Sequence, residues 1–66
     1  MAKARTLVYG LEIFMRYLPD FYVEAEHDCI YGPAEDEPEL DLDDLEIKHL
    51  REDGWFIESG CWAINC

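Results

Sequence analysis

The chain has 66 residues, half of them apolar, and a formal net charge of −11 at neutral pH. This length predicts a single domain over residues 1–66 with a small core, and the two Trp, four Tyr and three Phe exclude an acidic disordered tail. The charge opposes direct binding to nucleic acid, and the apolar runs fall well short of the roughly 20 residues that span a membrane.

The first predicted element is a helix that runs from an N-cap at Thr6 to about Leu18. Apolar residues recur through it at helical spacing, and Pro19 forbids its continuation. A strand over residues 11–18 stays an alternative, because short apolar runs fit both structures.

A change to a period of two predicts a strand over residues 21–31. The face expected to point inward carries Phe21, Val23, Ala25, His27, Cys29 and Tyr31. The face expected to point outward carries Tyr22, Glu24, Glu26, Asp28 and Ile30. We expect Gly32 and Pro33 to end this strand before a polar loop over residues 34–39.

A second helix is expected to begin near Asp41 or Asp43. Asp43 and Glu46 have the spacing of a capping box, basic residues occupy the last turns, and Gly54 suits the position just after the helix.

Two short strands, over residues 55–58 and 61–65, are predicted to follow and to be joined at Ser59 and Gly60. The predicted fold class is therefore α+β, in the order helix, strand, helix, strand, strand. We expect a small three-stranded antiparallel sheet packed by the two helices on one face.

The negative charge is concentrated in residues 17–47, which we call the acidic segment. It holds twelve Asp and Glu and no Lys or Arg, whereas the rest of the chain holds five basic and four acidic residues. Such a separation can build a directional electric field. The residues expected to bind a partner are Glu24, Glu26, Asp28, Glu35, Asp36, Glu37, Glu39, Asp41, Asp43 and Asp44.

The residues that could carry chemistry do not form a motif. The spacings of the two His and three Cys contain no zinc knuckle, and we expect Cys29 and Cys61 to be small core side chains. A calcium loop beginning at Asp41 fails, because Leu45 and Glu46 stand where a ligand and a glycine are needed. Ser59, the one serine, lies in a predicted turn. We therefore expect no enzymatic activity, no metal and no cofactor.

The odd number of cysteines and the lack of an export signal indicate reduced thiols in a cytoplasmic protein.

The stretches GLEIFMRYLPDFYVEAEHDCIYG and LREDGWFIESGCWAINC resemble small proteins encoded by bacteriophages. The resemblance rests on the runs Glu26-His27-Asp28, Gly54-Trp55 and Cys61-Trp62-Ala63. Acidic proteins of this kind include anti-CRISPR and anti-restriction proteins, which resemble DNA in charge and occupy the DNA-binding surface of a defence complex. The resemblance implies a monomeric DNA mimic in the cytoplasm of an infected bacterial host. Its partner would be a basic nucleic-acid-binding complex such as a CRISPR effector, with type I favoured.

Two other functions stay open. The chain could be an accessory phage protein that binds a partner through Tyr9, Tyr17, Tyr22 or Trp62, with its carboxylates serving as a solvated face and as helix caps. It could also inhibit a basic toxin or nuclease. The DNA-mimic hypothesis depends on the carboxylates gathering on one exposed surface after folding.

Overall fold

The computed structural model describes residues 3–26 and 28–65. The helices are α1 (Ala4–Met15) and α2 (Asp44–Glu52), and the strands are β1 (Glu24–Glu26), β2 (Cys29–Ala34), β3 (Phe56–Glu58) and β4 (Cys61–Asn65). The strands form one antiparallel sheet in the order β1-β2-β4-β3. The predicted α+β class is confirmed, but the sheet has four strands instead of three. In these two ranges, no helix has both the length and the apolar character that a membrane crossing requires.

Helix α1 begins earlier and ends earlier than predicted. Lys3 is its N-cap, and Thr6 lies inside the first turn, where its hydroxyl donates a hydrogen bond to the Lys3 carbonyl at 2.8 Å. The helix ends at Met15, because Pro19 disfavours the helical conformation at Leu18. The alternative strand over residues 11–18 is wrong.

The segment predicted as one strand folds into a β1–β2 hairpin. Glu24 lies opposite Tyr31 and Glu26 lies opposite Cys29. Residues opposite each other point to the same face, so Cys29 and Tyr31 share the face of the two glutamates, and Ile30 packs against the core. The prediction for these three residues was wrong, because a turn within the segment resets the alternation of faces. His27, predicted to point inward, lies outside the described residues.

Strand β2 continues through Gly32 and Pro33 to Ala34, so these two residues do not end it. Its pairing with β4 shifts register between Tyr31 and Ala34. Strand β1 pairs only with residues 29–31, so the missing amide hydrogen of Pro33 removes no hydrogen bond to β1.

Helix α2 and the β3–β4 hairpin follow the predictions. The Asp43 side chain accepts a hydrogen bond from the Glu46 amide at 2.7 Å, and Glu46 Oε1 accepts one from the Asp43 amide at 3.0 Å, which completes the capping box. Gly54 follows the helix with a φ of 102°. The positive φ angles of Ser59 and Gly60 suit a tight hairpin turn.

Both helices pack against one face of the sheet, which we call the inner face. Its core residues are Ile30, Ile57, Trp62 and Ile64. Against them lies Phe14, which is fully buried and meets the Trp55 ring edge to face, with centroids 5.1 Å apart. The opposite side of the sheet, the outer face, carries the alternate residues of each strand.

Gly10 allows α1 to approach Trp55 closely. A Cβ atom on Gly10 would overlap the indole ring, and the indole nitrogen donates a hydrogen bond to the Thr6 carbonyl at 3.4 Å. The absence of a side chain at Gly10 therefore sets the distance between helix and indole.

We expect Gly10→Ala to destabilise the fold by about 1–3 kcal/mol, because the added methyl group must displace a buried ring. Urea unfolding followed by tryptophan fluorescence measures the change. The matched control is Val8→Ala in the same helix, at a side chain that is 47% exposed, and it should change stability by less than about 0.5 kcal/mol. Equal stability of the two variants would show that Gly10 does not limit the packing.

Candidate partner-binding surface

The structure confines the basic residues to one of its two layers. All five Lys and Arg belong to the helical layer, where they cap or lie within α1 and α2: Lys3, Arg5, Arg16, Lys48 and Arg51. The described strands contain none of these residue types and carry three glutamates on the outer face, Glu24, Glu26 and Glu58. The outer face of the sheet is thus negative, and the cations lie on the helices against its other side.

A hollow of about 420 Å³ lies on the outer face, and we call it the sheet hollow. Its lining combines two aromatic rings and two carboxylates with small residues from β2, from the β3–β4 turn and from β4: Tyr22, Glu24, Glu26, Tyr31, Gly32, Ser59 and Cys61. Tyr22, just before β1, is 91% exposed, which is the highest value among the large apolar and aromatic side chains reported as exposed.

A second hollow, of about 530 Å³, adjoins the first, and we call it the loop hollow. It is lined by Leu18, Pro19, Asp20, Phe21, Tyr22, Pro33, Ala34, Glu37 and Glu39. Tyr22 belongs to both hollows, so carboxylates of the loop hollow and of the sheet hollow flank the same ring. We call the combined lining of the two hollows the Tyr22 surface.

Four of the ten predicted binding residues belong to the Tyr22 surface: Glu24, Glu26, Glu37 and Glu39. Glu35 and Asp41 line a separate hollow with Arg51, and Asp43 is engaged as the N-cap of α2. Asp28, Asp36 and Asp44 are exposed. The ten carboxylates therefore do not gather on one surface, as the DNA-mimic hypothesis expected, because the loop between β2 and α2 carries its residues around the molecule. The part of the set that does lie together is the four residues at Tyr22.

Sequence reasoning did not select Asp20 and Glu58 for the site, and it considered Tyr22 only for the alternative of an accessory protein. Asp20 lines the loop hollow and Glu58 lies on the outer face beside Cys61. Asp20 belongs to the acidic segment and could have been included on that ground. Glu58 lies outside that segment, and only the pairing of β3 with β4 brings it to the same face as Glu24.

Among the described acidic residues, Glu46 is the one whose side chain is buried. It is 9% exposed, its Oε2 atom lies 3.3 Å from Arg16 Nη1, and Oε1 accepts a hydrogen bond from the Tyr17 hydroxyl. Burial opposes the charge, but the hydrogen bonds from Tyr17, from the Asp43 amide and from Arg16 outweigh it and lower the pKa of Glu46. The same hydrogen bond to Glu46, together with burial, raises the pKa of Tyr17 to about 12. This cluster joins the end of α1 to the start of α2.

The four aromatic residues considered for partner binding differ in their exposure. Trp62 is 4% exposed in the core, and Tyr17 is half-buried against Glu46, so neither can form an exposed patch. Tyr9 is 52% exposed on α1, and Tyr22 is exposed beside the sheet. Of these four residues, Tyr22 is the exposed ring that lies beside several carboxylates of the acidic segment.

Cys29 and Cys61 are half-buried on the outer face instead of lying in the core as predicted, and both are free thiols. The Cys29 thiol donates a hydrogen bond to Asn65 Oδ1 at 3.2 Å. Across the described ranges, no group of three or more His, Cys, Asp or Glu side chains is arranged to hold a metal ion. Cys66 and His27 lie outside those ranges.

Comparison of the chain with protein-family models, with curated proteins and with solved structures finds no match. The function is therefore inferred from the arrangement of residues around Tyr22.

We expect the Tyr17–Glu46 pair to stabilise the fold between two pH limits. The pKa of Tyr17 is raised, so its contribution is complete below pH 10.0 and is lost as the pH rises towards 12. The pKa of Glu46 is lowered, so its contribution is present above pH 4.5 and is lost as the pH falls below that value.

Urea unfolding across this range of pH, with Tyr17→Phe and Glu46→Gln beside the wild type, tests the assignment. The stability difference between wild type and Tyr17→Phe should shrink above pH 10.0, and the difference for Glu46→Gln should shrink below pH 4.5. Tyr9→Phe is the control for phenol titration on an exposed ring. Differences that stay constant with pH would contradict the coupling of the two side chains.

Proposed function

We propose that the protein is an acidic inhibitor that binds the basic nucleic-acid-binding surface of a bacterial defence complex in the cytoplasm of the host. The favoured target is a type I CRISPR effector, whose binding of target DNA would be blocked. In this function the chain acts without catalysis, by occupying the surface that DNA needs.

The observation that carries the proposal is that the described strands carry glutamates on the outer face and no Lys or Arg. A protein that needed acidic residues only for solubility would gain by interspersing cations among them, because neighbouring like charges repel. Here the cations lie on the helices, whereas Glu24 and Glu26 lie two residues apart on one face of an edge strand. Side chains with this relation are roughly 6.8 Å apart and form a short row of negative charge.

The Tyr22 surface extends this row beyond the sheet. Asp20, Glu37 and Glu39 continue the negative charge on the other side of Tyr22. A basic channel built to hold phosphates would meet carboxylates at both hollows, with one exposed ring between them.

The charge also determines how the complex should form. Electrostatic attraction between an acidic surface and a basic channel raises the association rate by about 10- to 1,000-fold at low salt, and salt weakens the effect. The affinity should therefore depend strongly on ionic strength.

We expect the double variant Glu24→Lys with Glu39→Lys to lose inhibition, because it reverses one exposed carboxylate in each hollow. The assay measures how much protein prevents a purified type I effector from binding a labelled target duplex. The inhibitory concentration should rise at least about tenfold in the variant. The affinity of the wild type for the effector, measured directly in the absence of DNA, should fall between about 50 mM and about 300 mM salt.

The matched control is Glu12→Lys with Glu52→Lys, on exposed positions of the two helices. Both double variants change the net charge from −11 to −7, since each Glu→Lys substitution raises the charge by two. Equal losses in the two variants would show that only total charge matters and would contradict the proposed surface. A wild type that leaves DNA binding unchanged would contradict inhibition of this target, and binding to a basic nuclease in its place would favour that alternative.

A further inference from the structure

The outer face of the sheet presents a row of side chains that crosses all four strands. Glu24, Tyr31, Ala63 and Phe56 lie opposite one another in register from β1 to β3. Ala63 is fully buried between its two aromatic neighbours, which are themselves half-buried. This face thus offers apolar ring surface at its centre and carboxylates at its margins.

The sheet hollow lies on this face beside β1. Its volume of about 420 Å³ lies in the range of roughly 300–1,000 Å³ that is usual for ligand-binding sites. Tyr22 and Tyr31 supply ring surfaces and Glu24 supplies a carboxylate within one hollow. Burial raises the pKa of Tyr31, and so do the neighbouring Cys29, Glu58 and Glu26, in agreement with a negative field over the hollow.

Charge decides which occupants this face can accept. A second copy that docked through its own outer face would bring the same glutamates against Glu24 and Glu26, and an anionic ligand would be repelled in the same way. A cationic partner would find no Lys or Arg in the described strands to oppose it. The complementary occupant is therefore positively charged.

The combination of ring and carboxylate selects among cations. The guanidinium of arginine is flat, stacks on aromatic rings and donates paired hydrogen bonds to a carboxylate. The ammonium of lysine is a strongly hydrated point charge that cannot make both contacts with the same geometry. The sheet hollow places two tyrosine rings, on which a guanidinium can stack, beside the carboxylate of Glu24, with which it can pair.

We propose that the sheet hollow is an arginine-binding site, in which an arginine of a basic partner protein stacks on Tyr22 and pairs with Glu24. The inference rests on the proposed function for the nature of the partner and adds the residue type that is recognised. In this arrangement the surrounding carboxylates attract the partner, and Tyr22 makes the contact that distinguishes arginine from lysine.

Two synthetic peptides of equal charge test the site, Gly-Arg-Gly-Arg-Gly-Arg-Gly and the same peptide with lysine in place of arginine. Each is titrated into the isotope-labelled protein at low salt, and binding is followed by amide chemical shifts. We expect the arginine peptide to bind about fivefold more tightly and to shift the signals of Tyr31, Gly32, Ser59 and Cys61. Equal binding of the two peptides, or shifts centred on the helices, would overturn the assignment.

The decisive variant is Tyr22→Leu, which removes the ring but keeps an apolar side chain at a position that is 91% exposed and whose change should leave the fold intact. It should reduce the preference for arginine to less than about twofold. Tyr9→Leu is the matched control, because Tyr9 is an exposed tyrosine on the helical layer beside Arg16 and Glu12, and it should keep the preference. An equal effect of both variants would also overturn the assignment.

The same variants separate this inference from the proposed function. If Tyr22→Leu blocks the effector as well as the wild type does, whereas Glu24→Lys with Glu39→Lys does not, the arginine site is wrong and the inhibitory function stands. If the preference for arginine depends on Tyr22 but no variant or wild type blocks the effector, the site stands and the proposed function is wrong.

Discussion

Phe14 contacts aromatic rings from three different parts of the chain. Its ring meets Phe21 before β1, Trp55 at the start of the β3–β4 hairpin and Trp62 in β4, with centroids 6.0, 5.1 and 6.1 Å away. A domain of 66 residues buries a limited apolar area, so a few large rings must supply much of the cohesion. Everything else in the molecule, including the position of its charges, depends on this contact between α1 and the sheet.

The packing of helices on one face of the sheet has an electrostatic consequence. The inner face is occupied by apolar side chains, so the charged residues of the strands must lie on the outer face or at the edges. The basic residues follow the helices and the strand glutamates follow the outer face. A protein with a formal charge of −11 thereby acquires one side that mixes cations with acids and one side whose strands carry no cations.

Glu46 shows the alternative use of a carboxylate in this fold. Its side chain completes the capping box of α2, forms an ion pair with Arg16 and accepts a hydrogen bond from the Tyr17 hydroxyl, so its charge is used within the fold. Glu24 and Glu39, from the same acidic segment, line hollows at the surface. Glutamates of one charge run therefore differ in their surroundings: Glu46 is buried and hydrogen-bonded within the fold, whereas Glu24 and Glu39 stay exposed at the surface for which we propose a partner.

The sequence by itself determined the features that depend on neighbouring residues. The capping box of α2, its end at Gly54 and the turn at Ser59 and Gly60 were all predicted correctly, because capping and turn geometry involve residues only a few positions apart. Only the tertiary structure decided where the β1–β2 hairpin turns, which face Tyr31 occupies and which carboxylates meet at Tyr22. The turn of the hairpin is local, but uninterrupted alternation fits one long strand as well as two short ones, so periodicity does not reveal where the faces reset. The meeting of carboxylates at Tyr22 depends on the course of the loop before α2, and contacts between such distant residues leave no periodic signal in the chain.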